Sequence, residues 1–223
     1  MELVTYPDSE MMMIEVAQRL AGELRQALQS AEAASIAVPG GTTPGPIFDS
    51  LCGADLDWER VSVMLTDERW VPEDSPRSNT RLLKQRLLVG KAAVARYLPL
   101  YAPTETPEEG IPDLAQAISD VLPLSTCLLG MGTDMHTASI FPGADRLEEA
   151  LTGDLILVPM RAPGALEPRI TLSARVLSGA IARHVVITGP EKREALDRAR
   201  TLTPEEAPVA AVLKGSIVHW AES

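Results

Sequence analysis

The chain has 223 residues, 45% hydrophobic and 23% charged, an ordinary globular composition long enough to bury roughly 70% of its unfolded surface without staples. Its 20 basic and 31 acidic residues give a net charge of -11, which argues against nonspecific binding to nucleic acid or an anionic membrane, since both demand a basic footprint. Two cysteines, Cys52 and Cys127, make no disulfide framework and fit a reducing cytoplasm. The opening MELVTYPDSEMMMIEV lacks the basic start and small-residue cleavage site of a secretory signal, and no run of 18 apolar residues suggests a membrane span.

In chain order, Ile14, Ala17, Leu20, Ala21, Leu24, Ala27 and Leu28 follow helical spacing within residues 9–34. SIAV at 35–38 is a short buried strand that stops at Pro39-Gly40-Gly41, and residues 44–51 read as a helix with proline in its first turn. Further strands are expected at 61–65, 126–129, 155–158, 184–188 and 216–220, with a helix over 191–200. The stretches 70–79 and 102–112 are proline-rich and read as short loops. Buried strands alternating with helices indicate an α/β fold with a mainly parallel sheet, read as one domain over 1–223. In such sheets ligands lie beyond the carboxyl ends of the strands, here the loops 39–44, 66–79 and 130–137.

Gly40, Gly41 and Thr42 join a strand to a helix, where free N–H groups and the dipole suit a phosphate; the same residues also build an ordinary tight turn. Beyond the third strand, Asp134 and His136 stand one residue apart, as a base and the carboxylate that fixes its tautomer, or simply as a polar pair on a surface loop. The glycines at 130 and 132 lack the third glycine of a dinucleotide fingerprint. Asp67 and Arg69 follow another strand, and Arg69 either holds an anion or pairs with its acidic neighbours. Arg169 and Lys192 are further candidate anion ligands, the latter a cation near a helix start, where the dipole disfavours it. The three histidines form no metal motif, and His184 and His219 read as structural.

GGTTP (40–44), TDERWVPEDSPRSN (66–79), LGMGTDMHTASIFPG (129–143), RITL (169–172) and TGPEK (188–192) occur in the order seen in 6-phosphogluconolactonases, and the chain resembles that family over nearly its whole length. The resemblance implies a Rossmann-like three-layer sandwich, a mainly parallel sheet flanked by helices. It also implies hydrolysis of 6-phospho-D-glucono-1,5-lactone in the oxidative pentose phosphate pathway, without metal or organic cofactor. On that basis His136 is the general base, Asp134 orients or supports it, Arg69 lies near the substrate, either stabilising the tetrahedral oxygen or binding sugar hydroxyls, and Asp67 helps shape that side. Gly40, Gly41, Thr42, Arg169 and Lys192 hold the phosphate. The implied partner is the phosphosugar lactone alone, with no nucleic acid or membrane, on a monomer or weak homo-oligomer.

Two rivals are an aminosugar-phosphate isomerase/deaminase, which carries a glutamate where this chain has Phe141, and a non-catalytic phosphosugar-binding regulator. The chain departs from the family's usual Asp-Gly-His at Met135. A bulky side chain is seldom kept at positive φ, so an ordinary negative φ is expected there.

Overall fold

A computed structural model describes residues 1–223. The chain begins with β1 (Glu2–Tyr6), α1 (Ser9–Ser30), β2 (Ala34–Val38), α2 (Gly45–Leu51), β3 (Val61–Leu65) and β4 (Asp67–Arg69). It continues through α3 (Asn79–Arg86), β5 (Arg96–Leu98), α4 (Pro107–Ser119), β6 (Thr126–Gly130), α5 (Leu147–Thr152) and β7 (Leu157–Met160). It ends with β8 (Arg169–Leu172), α6 (Ala174–Ser178), β9 (Ala182–Thr188), α7 (Pro190–Ala199), α8 (Ala210–Leu213) and β10 (Ile217–Ala221).

Seven strands form one sheet in the order β1-β10-β9-β6-β2-β3-β5, every neighbouring pair parallel. The apolar strands β2 and β3 are wholly buried, as expected of strands covered on both faces. From β2 the chain builds outward through β3 and β5, then returns to lay β6 on the other side of β2. That reversal opens a crevice beyond the carboxyl ends of β2 and β6, between the segments that begin at residues 39 and 131. No helix is long and apolar enough to cross a membrane.

The second sheet was not anticipated. β4, β8 and β7 form an antiparallel unit in the order β4-β8-β7, with Asp67 opposite Thr171 and Arg69 opposite Arg169. Residues 67–69, read from sequence as loop, are therefore a strand too short for its alternation to show. The strand expected at 155–158 begins at Leu157 and belongs to this small sheet, not to the parallel one. The stretch 102–112 is only partly loop, because α4 starts at Pro107, where a missing N–H costs nothing, and continues through Pro112. α1 ends four residues earlier than expected and buries Met12, Met13 and Val16 beside Ala17, Leu20, Ala21 and Leu24, whereas Ile14 is 45% exposed.

The two histidines read as structural prove to be links in one buried chain. The Glu23 carboxylate can only accept; it takes the Thr126 hydroxyl (2.6 Å) and His184 Nε2–H (2.8 Å). His184 Nδ1 shares the next hydrogen bond with His219 Nε2 (2.9 Å), and His219 Nδ1 shares the last with the Tyr6 hydroxyl (2.8 Å). The chain ties α1 across β6, β9, β10 and β1. Burial, aided by the facing His184 and Arg19, lowers His219 from its ordinary 6.5 to about 3. The denatured imidazole takes up a proton near 6.5 that the folded one refuses until about 3, so stability is lost as pH falls through that window. The slope approaches ~1.4 kcal/mol per pH unit. Urea midpoints should therefore drop more steeply on acidification from about pH 7 to about pH 5 in the wild type than in His219→Gln; equal slopes would contradict the assignment.

Candidate active site

A cleft of about 240 Å³ opens at the crevice between β2 and β6. Its first wall follows β2. Gly41 has φ +85°, and a Cβ on Gly40 would lie 2.1 Å from Asn79 Cγ, so both positions require glycine, one for conformation and one for space. Thr43 lines the cleft, and Thr42 and Thr43 both line an adjoining groove with Thr188 and Gly189. The chain turns through Gly41 and closes with Gly45 N–H on the Thr42 carbonyl, 3.1 Å, and both threonines are exposed.

The second wall is the small sheet. Because side chains alternate along a strand, Asp67 and Arg69 share one face of β4 and Glu68 takes the other. Pairing with β8 adds Arg169 and Thr171 to the face of Asp67 and Arg69. Asp67 is 6% exposed and accepts from Thr66 Oγ1 (3.1 Å) and Ser139 Oγ (2.6 Å), with Arg169 Nη1 at 3.9 Å. Arg69 Nη1 donates to Asn79 Oδ1 and to the Arg77 carbonyl, both 2.9 Å, and Asn79 Nδ2 donates to the Asp67 carbonyl, 3.1 Å. On the opposite face the fully buried Glu68 accepts the N–H groups of Arg69, Asn79 and Thr80 and the Ser78 hydroxyl at 2.7–2.9 Å. It caps the start of α3, where the helix dipole favours a carboxylate.

The third wall follows β6. Asp134 Oδ1 lies 2.5 Å from His136 Nδ1 and also accepts the His136 N–H at 3.2 Å. That hydrogen bond holds the Asp134 carboxyl below its ordinary value and leaves His136 Nε2 as the ring's free nitrogen. A Cβ on Gly132 would fall 2.3 Å from His136 Nδ1, so the pair folds back directly over the backbone. Met135 has φ +66° and Ala138 φ +49°, so the negative φ expected for Met135 is wrong. The turn overrides the local preference: Met135 N–H donates to the Gly132 carbonyl and the Met135 carbonyl accepts Val209 N–H, both 3.0 Å, while Gly132 N–H closes on the His136 carbonyl.

Cationic groups complete the cleft. Lys192 sits in the first turn of α7, behind Gly189 at φ +87°, and burial lowers its pKa. Burial likewise lowers Arg169, against the pull of Asp67. Nε of both Arg69 and Arg169 is buried without a hydrogen-bond partner, though Glu167 Oε1 lies 3.6 Å from Arg69 Nε. Two guanidinium groups directly opposite across a strand pair repel unless an anion lies between or beside them. The cleft thus gathers Gly40, Gly41, Asp67, Arg69, His136, Arg169 and Lys192, with Asp134 behind the histidine. Asn79, Ser139, Glu68 and Glu167 were given no role from sequence; the SN at the end of the 66–79 motif was the one available signal for Asn79.

A parallel α/β sheet with a cationic cleft at its topological switch point belongs to the enzymes of small anionic metabolites. The chain belongs to the family described as Glucosamine-6-phosphate isomerases/6-phosphogluconolactonase, whose model matches residues 7–220. A 6-phosphogluconolactonase of Rhizobium meliloti is 41% identical over 92% of this chain and 92% of its own, and one of Mesorhizobium japonicum is 42% identical over 97% and 93%. The crystal structure of a 6-phosphogluconolactonase from Shewanella baltica superposes with a TM-score of 0.95, 31% identical and covering 99% of this chain and 97% of that one.

The strained turn is directly testable. A non-glycine residue in the left-handed region costs roughly 1–2 kcal/mol, more than the ~0.5–1 kcal/mol of chain entropy that glycine adds. Met135→Gly should therefore raise the melting temperature without loss of turnover, and Met135→Ile should lower it.

Proposed function

We infer that this chain is a lactonase of the pentose phosphate pathway, hydrolysing 6-phospho-D-glucono-1,5-lactone to 6-phospho-D-gluconate. The observation that carries the reading is the Asp134–His136 pair, its free Nε2 at a cleft whose other walls hold under-partnered cations. A lactone is an activated ester, so one base, positioning and charge stabilisation suffice.

In this reading the phosphate lies against the N–H groups of Gly40 and Gly41 with Arg169 and Lys192, and Thr42 and Thr43 supply the nearby hydroxyls. His136 Nε2 takes a proton from water as the water oxygen attacks the lactone carbonyl carbon. Asp134 holds the imidazolium that forms, as the carboxylate of a base–carboxylate pair does. The tetrahedral oxyanion is stabilised by Arg69, which Asn79 and the Arg77 carbonyl keep extended. Collapse breaks the ring C–O bond, and the imidazolium returns its proton to the departing oxygen. Asp67, held by Ser139, orients Arg169 and the sugar hydroxyls. No group of three or more histidine, cysteine or acidic side chains is placed to hold a metal ion, and this scheme uses none.

The pre-formed base pair argues against a purely binding role, and Phe141 supplies no carboxylate for an isomerase relay. We read residues 1–223 as one domain, since the small sheet supplies a wall of the same cleft. A cytoplasmic setting is the matching one, supported by the free thiols Cys52 and Cys127, the latter buried and pushed up to about 12, and we read the chain as a monomer or weak homo-oligomer.

His136→Ala should lower kcat by about 10²–10⁴ once spontaneous hydrolysis is subtracted, with binding of 6-phosphogluconate retained. Undiminished turnover would remove His136 from the chemistry. Arg169→Ala and Lys192→Ala should each raise KM for the phosphorylated lactone by the equivalent of about 1.5–3 kcal/mol. Neither should alter KM for unphosphorylated gluconolactone; equal effects on both substrates would defeat their assignment to the phosphate.

A further inference from the structure

Phe141 is absent from the cleft lining, yet its ring touches two groups that line it. Its centroid lies 4.3 Å from that of the His136 imidazole, the planes inclined by 30°, and the Arg169 guanidinium carbon stands 5.2 Å from the same centroid. The intervening turn makes this contact: Ile140 N–H donates to the Thr137 carbonyl, 2.9 Å, and Thr137 and Ile140 form an isolated antiparallel bridge. Residues 136 and 141, flanking that bridge, are thereby brought side by side.

Each neighbour lacks full polar support. The bond from Nδ1 to Asp134 fixes the histidine's tautomer and one point of its ring, but leaves rotation about the Nδ1···Oδ1 line, and Asp134 is itself half exposed. An aromatic face packed on the imidazole removes that rotation and gives Nε2 one direction. Arg169 has a 3.4 Å contact to Ser139 Oγ, a hydroxyl already donated to Asp67, and a distant ion pair with Asp67 at 3.9 Å, and its Nε has no partner. A π face under the guanidinium holds the cation without neutralising it, whereas collapse onto Asp67 would cancel its charge.

We propose that Phe141 is a positioning residue for the lactonase reaction, aiming the His136 base through ring stacking and holding Arg169 in the cleft through its π face. The proposal rests on the roles given above to His136 and Arg169. It separates into two kinetic signatures, because one neighbour serves chemistry and the other phosphate binding.

Phe141→Leu, an aliphatic of similar bulk, should lower kcat about tenfold on phosphorylated and unphosphorylated lactone alike, through the loosened base. It should raise KM about fivefold for the phosphorylated substrate alone, through Arg169. Phe141→Tyr, which keeps the ring, should stay within about twofold of wild type in both constants. Phe141→Met serves as a second aliphatic replacement should the leucine variant fold poorly. Folded Leu or Met variants with wild-type kcat and KM would overturn the proposal, as would a folded Tyr variant as impaired as Leu. Failure of both aliphatic variants to fold would also overturn it, making the ring a packing element. Full turnover in His136→Ala would instead sink the base assignment, whatever the Phe141 variants do.

Discussion

The carboxylate of Glu68 is fully buried and accepts four hydrogen bonds, three from backbone N–H groups and one from a serine hydroxyl. An uncompensated buried carboxylate is among the costliest defects a fold can carry, so its partners are bound to one arrangement. Those partners are the end of β4 and the start of α3, which together carry Arg69 and Asn79. Asn79 then bridges the Asp67 carbonyl to the Arg69 guanidinium and packs where a side chain on Gly40 would sit. One buried charge therefore registers the first two walls of the cleft against each other.

The electrostatics of the cleft run opposite to those of the molecule. A chain of net charge -11 concentrates Arg69, Arg169 and Lys192 around one crevice, where burial itself disfavours the charge of the last two. Glu167 supplies part of the compensation, lying 3.6 Å from Arg69 Nε while pairing with Arg77, but nothing equivalent reaches Lys192. Such under-compensated, partly desolvated cations are tolerated where an anion completes them, as the proposed phosphosugar site would require.

Strain follows the same geography. Met135 and Ala138, both with left-handed backbone, flank His136 closely, and the wider turn carries the Asp134 contact and the Phe141 stack. The hydrogen bonds from Gly132 and Val209 over-determine that conformation, as strained backbone at a functional site requires. The chain of hydrogen bonds from Glu23 to Tyr6 is of another kind: every donor and acceptor is matched, and none of its residues lines the cleft, although two of the strands it joins do.

The parallel α/β architecture, the crevice loops at 39–44 and 130–137, and the pairing of Asp134 with His136 were all legible in sequence, because each is encoded locally. Strand hydrophobicity, glycine at a strand end and two polar residues one position apart need no distant partner to be recognised. The face shared by Asp67, Arg69 and Arg169 was not legible, since β4 is three residues long and its alternation appears only when β8 pairs with it. The contact of Gly40 with Asn79, the histidine chain through Glu23, and the meeting of Phe141 with Arg169 depend on strand order and on turns that bring separated segments together. The sign of φ at Met135 was not legible for the same reason. Local propensities amount to about a kilocalorie per residue, and a turn held by several tertiary hydrogen bonds outweighs them.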